Sequence, residues 1–319
     1  MEDALPRIFS WVEWCSRGAI LTTVILITFL RTIHLELSLS AQIIIAMIGL
    51  LIGIPHGAID HLVSIPAQPR VRFYGYIIAY IAIALMAGWA ISTWNVFGFR
   101  VVVIMSALHF GFGDAAYRNE WKSATKSRKY PWFIEIVYAL PAGFIPVVLP
   151  LTDARSLSAL NRIHPGLKDW AGANVDLFRG ITLAMFIGAL LILLAAKSFN
   201  FAIDLGLLGL LTFLAPPLIA FAIYFGFWHA ARHTARLIPK LEKARALAMC
   251  GDGVGALKGA ITPGLYAVAG TFLFASGLMF LTRESSSSGL LWSTLVIIWA
   301  LTVPHMLTTS LFDLRAIRK

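Results

Sequence analysis

Ten stretches of this chain run for 15 to 25 residues with very few charges: 18–34, 38–58, 73–97, 101–117, 133–152, 177–196, 201–215, 217–237, 264–282 and 290–311. As helices, segments of this kind cross a hydrocarbon layer about 30 Å thick, which takes roughly 20 residues each. A closed β-barrel, the other spanning solution, would show short alternating segments instead of continuous apolar blocks. The fold class that follows is all-α, a polytopic integral-membrane helical bundle of about ten transmembrane segments. Composition agrees, with 59% hydrophobic and 13% charged residues against about 25% charged in soluble domains. The longest connections, 118–132, 153–176 and 238–263, are too short and polar to bury a core of their own. Residues 1–37 are expected to form an N-terminal segment, and residues 38–319 the membrane-embedded helical domain. The apolar stretch from Gly18 to Leu30 is pinned between Arg17 and Arg31 with no small-residue cleavage site after it, so it reads as an anchor and not a removed signal peptide.

Basic residues set the expected orientation, because Lys and Arg are retained on the cytoplasmic side. Assigning loops alternately puts nineteen of the 26 Lys and Arg residues on the N-terminal side, Arg7, Arg17, Arg118, Arg232, Arg236 and Lys240 among them. The chain is therefore placed in the cell inner (plasma) membrane with its C-terminus in the cytoplasm. The net charge of +10 reads as topology and contact with anionic head groups. No loop interleaves basic residues with base-stacking aromatics, so a nucleic-acid partner is not expected. Arg118 to Lys129 reads as a solvated, head-group-facing linker.

Histidines interrupt the apolar runs at His56, His109, His229, His233 and His305. A neutral imidazole in a bilayer has a ring nitrogen that needs a partner. One such residue is more often an interhelical hydrogen-bond partner than a ligand, but five on segments running in the same direction share a simpler explanation, a metal between helices. His229 and His233 lie one helical turn apart and can grip one ion. Pro55 and Pro304 each precede a histidine and can redirect it into the bundle. His61, five residues after His56, points to another face. The only cysteines, Cys15 and Cys250, are isolated, which argues against a structural thiolate zinc site. An all-imidazole site suits iron, copper or zinc. Asp60 and Asp114, four and five residues after His56 and His109, are placed to hold second ring nitrogens and fix the tautomers. Phe110, Phe112, Tyr224, Phe227 and Trp228 flank the histidines and are candidate walls of a tunnel for a long apolar substrate, with packing against lipid or helices as the alternative.

The runs Gly-Ile-Pro-His-Gly-Ala-Ile-Asp-His at 53–61, Leu-His-Phe-Gly-Phe-Gly-Asp at 108–114, Phe-Trp-His-Ala-Ala-Arg-His at 227–233 and Val-Pro-His-Met at 303–306 resemble the signature blocks of the bacteriorhodopsin-related Brp/Blh family. The resemblance covers residue 38 to the C-terminus. It implies a membrane dioxygenase that cleaves the central double bond of β-carotene with O2 to give two retinal molecules. It also implies a mononuclear non-haem Fe(2+) held by His56, His109, His229 and His233, with His305 an alternative ligand or near neighbour. The implied partners are a carotenoid dissolved in the lipid bilayer, O2 and a retinal-accepting rhodopsin. Three other readings stay open. A membrane di-iron carotenoid or lipid hydroxylase or desaturase would need about eight ligands and the adjacent-histidine boxes this chain lacks. A dihaem electron carrier would want histidines at two depths. A proton-coupled transporter would relay protons through His56, Asp60 and Asp204.

Overall fold

The computed structural model describes residues 4–64, 70–127, 130–282 and 287–318, and the regular structure among them is helical. Each of the ten apolar stretches is a helix: α1 (Ala4–Thr32), α2 (Leu39–Gly53), α3 (Arg70–Thr93), α4 (Asn95–Ala124), α5 (Trp132–Val147), α6 (Val175–Ala195), α7 (Phe199–Leu214), α8, α9 (Gly253–Thr282) and α10 (Ser287–Arg318). The eighth has three parts, an α-helix Pro217–Ala222, a π-helix Ile223–Ala230 and an α-helix Ala231–Leu237. Among the described residues, seven segments are long and apolar enough by themselves to cross a membrane. The shorter helices α5 and α7 are apolar but fall below that length. Large apolar side chains face outward along the bundle, Ile78, Leu85 and Leu273 for example, as a surface solvated by lipid requires.

At the centre lies α4, with buried residues from Gly98 to Lys122. It packs on α5, α10 and α3, while α10 wedges between α3 and α4. α2 lies on α8, α1 on α7 and α8, and α9 on the turn that follows α2. Small residues let the backbones meet. A Cβ on Gly111 would fall onto the Ala139 carbonyl, and one on Gly143 onto that of Ala107. α4 and α5 thus cross backbone to backbone at two small-residue pairs spaced four apart, the packing on which membrane helices rely when lipid removes the hydrophobic drive between them.

Two expectations fail at the helix ends. Arg118 is not in a solvated linker, because α4 continues to Ala124 and buries Arg118, Asn119 and Lys122. Arg128 and Lys129 of that stretch lie outside the described residues. Several cations read as loop charges are also interior. Arg17, Arg118 and Arg232 converge on the fully buried Asp204, Arg17 Nε at 2.8 Å from one oxygen, Arg118 Nη2 at 2.6 Å and Arg232 Nη1 at 3.0 Å from the other. Glu13 on α1 closes the group, pairing with Arg17 at 2.7 Å and Arg118 at 3.0 Å. The physical reason is that a charge near a helix end can be met by an opposite charge on a neighbouring helix as well as by water, and sequence spacing does not distinguish the two.

Candidate metal centre

The helix of α2 stops at Gly53, and Ile54–Ile59 follows as a 3-10 turn with Pro55 at its start. Proline lacks the N–H that would continue the ladder, and the turn delivers His56 to the interior, buried. Pro304 behaves differently, lying within the continuous helix α10. His109 comes from α4, His229 from the π-helix, His233 from the α-helix after it and His305 from α10.

All five are buried and gather at one place. The His56 ring centroid lies 5.1 Å from that of His233 and 5.4 Å from those of His229 and His305, while the His109 centroid lies 5.1 Å from His229 and 5.0 Å from His305. His56, His109 and His305 each bring a ring nitrogen to within 4.8 Å of the others. Gly57 makes room, since a Cβ there would meet the His305 ring at 3.3 Å.

The partners of these rings fix their tautomers. His56 Nδ1 donates to the Gly53 carbonyl. His305 Nδ1 lies 2.8 and 3.0 Å from the two oxygens of Asp60, and its N–H donates to that carboxylate. The hydroxyl of Thr309 donates to the His305 carbonyl at 2.9 Å, which leaves its oxygen to accept from His109 Nδ1 at 3.2 Å. In each ring Nδ1 therefore carries the hydrogen and Nε2 the lone pair. His109 Nε2 and His305 Nε2 are buried without a hydrogen-bond partner, as are both nitrogens of His229 and Nδ1 of His233. Lone pairs aimed at one another in a dry interior repel, and a cation among them removes the conflict. The donor set fits a divalent transition metal of the imidazole-binding kind.

The sequence expectation needs two corrections here. Asp60 does not serve His56 but holds His305, 245 residues away in the chain. Asp114 does not serve His109. It accepts from Trp228 Nε1 at 2.8 Å and lies 3.7 Å from His229 Nδ1. His56 lies in the 3-10 turn and Asp60 in the α-helix after it, while Asp114 stands five residues past His109, about 140° round the helix, so neither carboxylate shares a face with the histidine before it and each meets a neighbouring element instead. Sequence reasoning missed Thr309 and Asp313. Asp313 Oδ1 is held by Arg236 Nη1 at 2.6 Å and Oδ2 lies 3.9 Å from His109 Nδ1. His305, Thr309 and Asp313 follow an i, i+4, i+8 spacing on one face of α10, a signal the sequence does contain. Nothing is described of the His61 side chain.

Two cavities reach the imidazoles. One of about 250 Å³ is lined by His56, His109 and His305 with Phe110, Phe225 and Leu301. Another of about 430 Å³ touches His233, Pro304 and Phe312 and runs to Lys240 and Arg315. Of the five aromatics expected to form a tunnel, Phe110 lines a cavity. Phe112 packs against the main core, Tyr224 and Trp228 are fully buried and turned toward Asp114, and Phe227 is 40% exposed on the outer surface. Phe225 takes the expected place. The π-helix explains the change, because its wider turn shifts every later side chain relative to the 3.6-residue period.

A sequence profile described as β-carotene 15,15′-dioxygenase matches residues 47–313 of this chain. The chain belongs to that family. The match takes in all five imidazoles, Asp60 and Asp313, and leaves α1 before it. Among relatives in this dioxygenase family, the chain is 26% identical over 268 residues to the β-carotene 15,15′-dioxygenase of uncultured marine bacterium 66A03, covering 80% of this chain and 88% of that one. It is 25% identical over 293 residues to the probable β-carotene 15,15′-dioxygenase Blh of Halobacterium salinarum, covering 82% and 81%. No solved structure matches it.

Proposed function

We propose that this chain cleaves the 15,15′ double bond of β-carotene with O2, giving two molecules of retinal, at a non-haem Fe(2+) held among its buried histidines. The observation that carries the reading is the convergence of His56, His109 and His305 within 4.8 Å, with their Nδ1 hydrogens already committed and their Nε2 lone pairs left for a cation. His305 therefore joins His56 and His109 as a ligand, and His229 and His233, whose rings stand against them, supply the further donors. Iron so held would supply the binding and activation of O2.

The chain's own groups do the rest. Asp60, Thr309 and the Gly53 carbonyl hold three imidazoles in orientation and tautomer. Phe110, Phe225 and Leu301 give the site a wall that excludes water and receives a hydrocarbon. Ile81 and Leu301, exposed on the outer surface beside the smaller cavity, let a substrate dissolved in lipid enter from the side. Both oxygen atoms end in the two aldehydes, so the reaction consumes no electron donor. The product returns to the bilayer, where a retinal-accepting rhodopsin is the proposed recipient. The inner (plasma) membrane with a cytoplasmic C-terminus is the proposed setting, from the basic asymmetry of the sequence.

Other readings fit less well. Five imidazoles about one point supply fewer donors than two metals need. Both oxygens of Asp204 are taken by guanidinium groups, which leaves the transporter reading without its third relay.

Expression in a β-carotene-producing bacterium tests the proposal directly. Retinal accumulation with one iron per purified chain is the expected result. Unchanged carotene, or haem or two irons per chain, overturns it. Asp60→Asn is expected to leave the protein folded but to weaken iron binding by about 10- to 100-fold, read as iron lost to a graded chelator, since the amide no longer supplies a charged acceptor to His305. Iron retained as in the wild type would remove Asp60 from this role.

A further inference from the structure

The two cavities share part of their lining. Asp60, Tyr76 and Tyr80 line both. Along α10 the smaller cavity runs from Ile298 to His305 and the larger from Pro304 to Arg315, together about 26 Å of helix rise, with His305 near the middle. A long polyene laid in this path has one half in each cavity and its centre beside the imidazoles.

Position along such a path is not set by apolar walls alone, because a polyene offers many similar double bonds and slides easily between smooth surfaces. Something fixed must mark the register. Tyr80 stands at the junction, its hydroxyl 3.3 Å from Asp60 Oδ2 and 3.4 Å from the Leu301 carbonyl. Both acceptors belong to elements that build the site, so the ring cannot swing away without losing its bond. Tyr76, one turn earlier, has its hydroxyl 3.3 Å from Thr308 Oγ1 and its ring 5.8 Å from that of Tyr80. A methyl-branched polyene fits against a fixed ring best where its branch-free stretch is longest, and in β-carotene that stretch is the middle.

We propose that Tyr80 selects which double bond is cleaved, by holding the branch-free centre of the carotenoid at the junction of the two cavities, beside the imidazoles. It acts as a positioning residue through shape. Asp60 anchors it on one side and His305 on the other, so register and ligand geometry share one carboxylate. The inference rests on the carotenoid-cleaving reading given above.

The test supplies β-carotene to the iron-loaded protein and measures the chain lengths of all aldehydes formed. The wild type is expected to give retinal alone. Tyr80→Leu, which removes the ring, is expected to give unequal pairs of aldehydes whose carbons still sum to those of the substrate, with retinal reduced on the order of tenfold. Tyr80→Phe keeps the ring and is expected to keep retinal as the product. Tyr80 is part-buried and outside the buried positions of α3, Ala84 and Ile91, so removing its ring opens no hole in the packed core. If the leucine variant fails to accumulate, Tyr80→Met reads the same property. Retinal as the only product of a ring-less variant, at whatever rate, overturns the inference while leaving the dioxygenase reading intact. No aldehyde from the wild type overturns both. A merely structural role for Tyr80 would slow the reaction without changing product length.

Discussion

His305→Ala is expected to lose iron and to lower retinal formation by on the order of a hundredfold or more. The expectation is as large as that for His56→Ala or His109→Ala, because each of these three residues brings a ring nitrogen within 4.8 Å of the other two. Removing His305 also frees Asp60 from its ring partner and leaves a carboxylate buried near the site, so alanine there costs more than one ligand. His164→Ala is the control. That ring packs against Trp292, tilted, with centroids 4.5 Å apart, outside the cluster, and its loss is expected to leave iron content unchanged. Metal analysis and retinal yield, measured on the same membranes, check both. A fully active His305→Ala protein with one iron per chain would return the site to His56, His109, His229 and His233.

Asp204→Ala is expected to have the largest effect on the folded state. One carboxylate with no exposed surface receives Arg17, Arg118 and Arg232 from three different helices. Deleting a partner from a buried ion pair costs about 3–5 kcal/mol, mainly through the charge left behind. Here three guanidinium groups lose a common acceptor, and Glu13 can answer only two of them, Arg17 and Arg118. The variant should melt far below the wild type in detergent or fail to accumulate. Arg17→Ala, at the outer edge of the group, should cost less, because Asp204 then keeps two partners. Equal melting of Asp204→Ala and wild type would show that the network contributes little. Its position bears on function too, since Arg232 lies between His229 and His233 on α8 and ties that helix to α1, α4 and α7.

Much of the architecture was legible because membrane insertion writes itself into sequence as length and apolarity. All ten apolar stretches are helices, and the four motif blocks around His56, His109, His229 and His305 converge in space. What could not be read has a common cause. Helical spacing says which residues share a face but not which helix that face meets. Asp60 holds a ring nitrogen of His305 and Asp114 accepts from Trp228, while Arg118 and Arg232 meet Asp204 and not water. Tyr224, Phe227 and Trp228 flank His229 in the sequence, but within the π-helix Ile223–Ala230 Tyr224 and Trp228 turn toward Asp114 and Phe227 faces outward, the packing alternative for these three. The i, i+4, i+8 spacing of His305, Thr309 and Asp313 on one face of α10 is a periodic signal that the sequence carries.

The placement of the outward-facing Ile81 and Leu301 in the lining of the smaller cavity changes what concentration means for this enzyme. Its substrate is counted per lipid molecule and not per litre of water, so adding empty vesicles or detergent dilutes it even when the total amount in the tube is constant. Encounter becomes a two-dimensional search within the leaflet. The supply rate is then governed by lateral diffusion and by how the membrane's acyl chains share space with a rigid polyene.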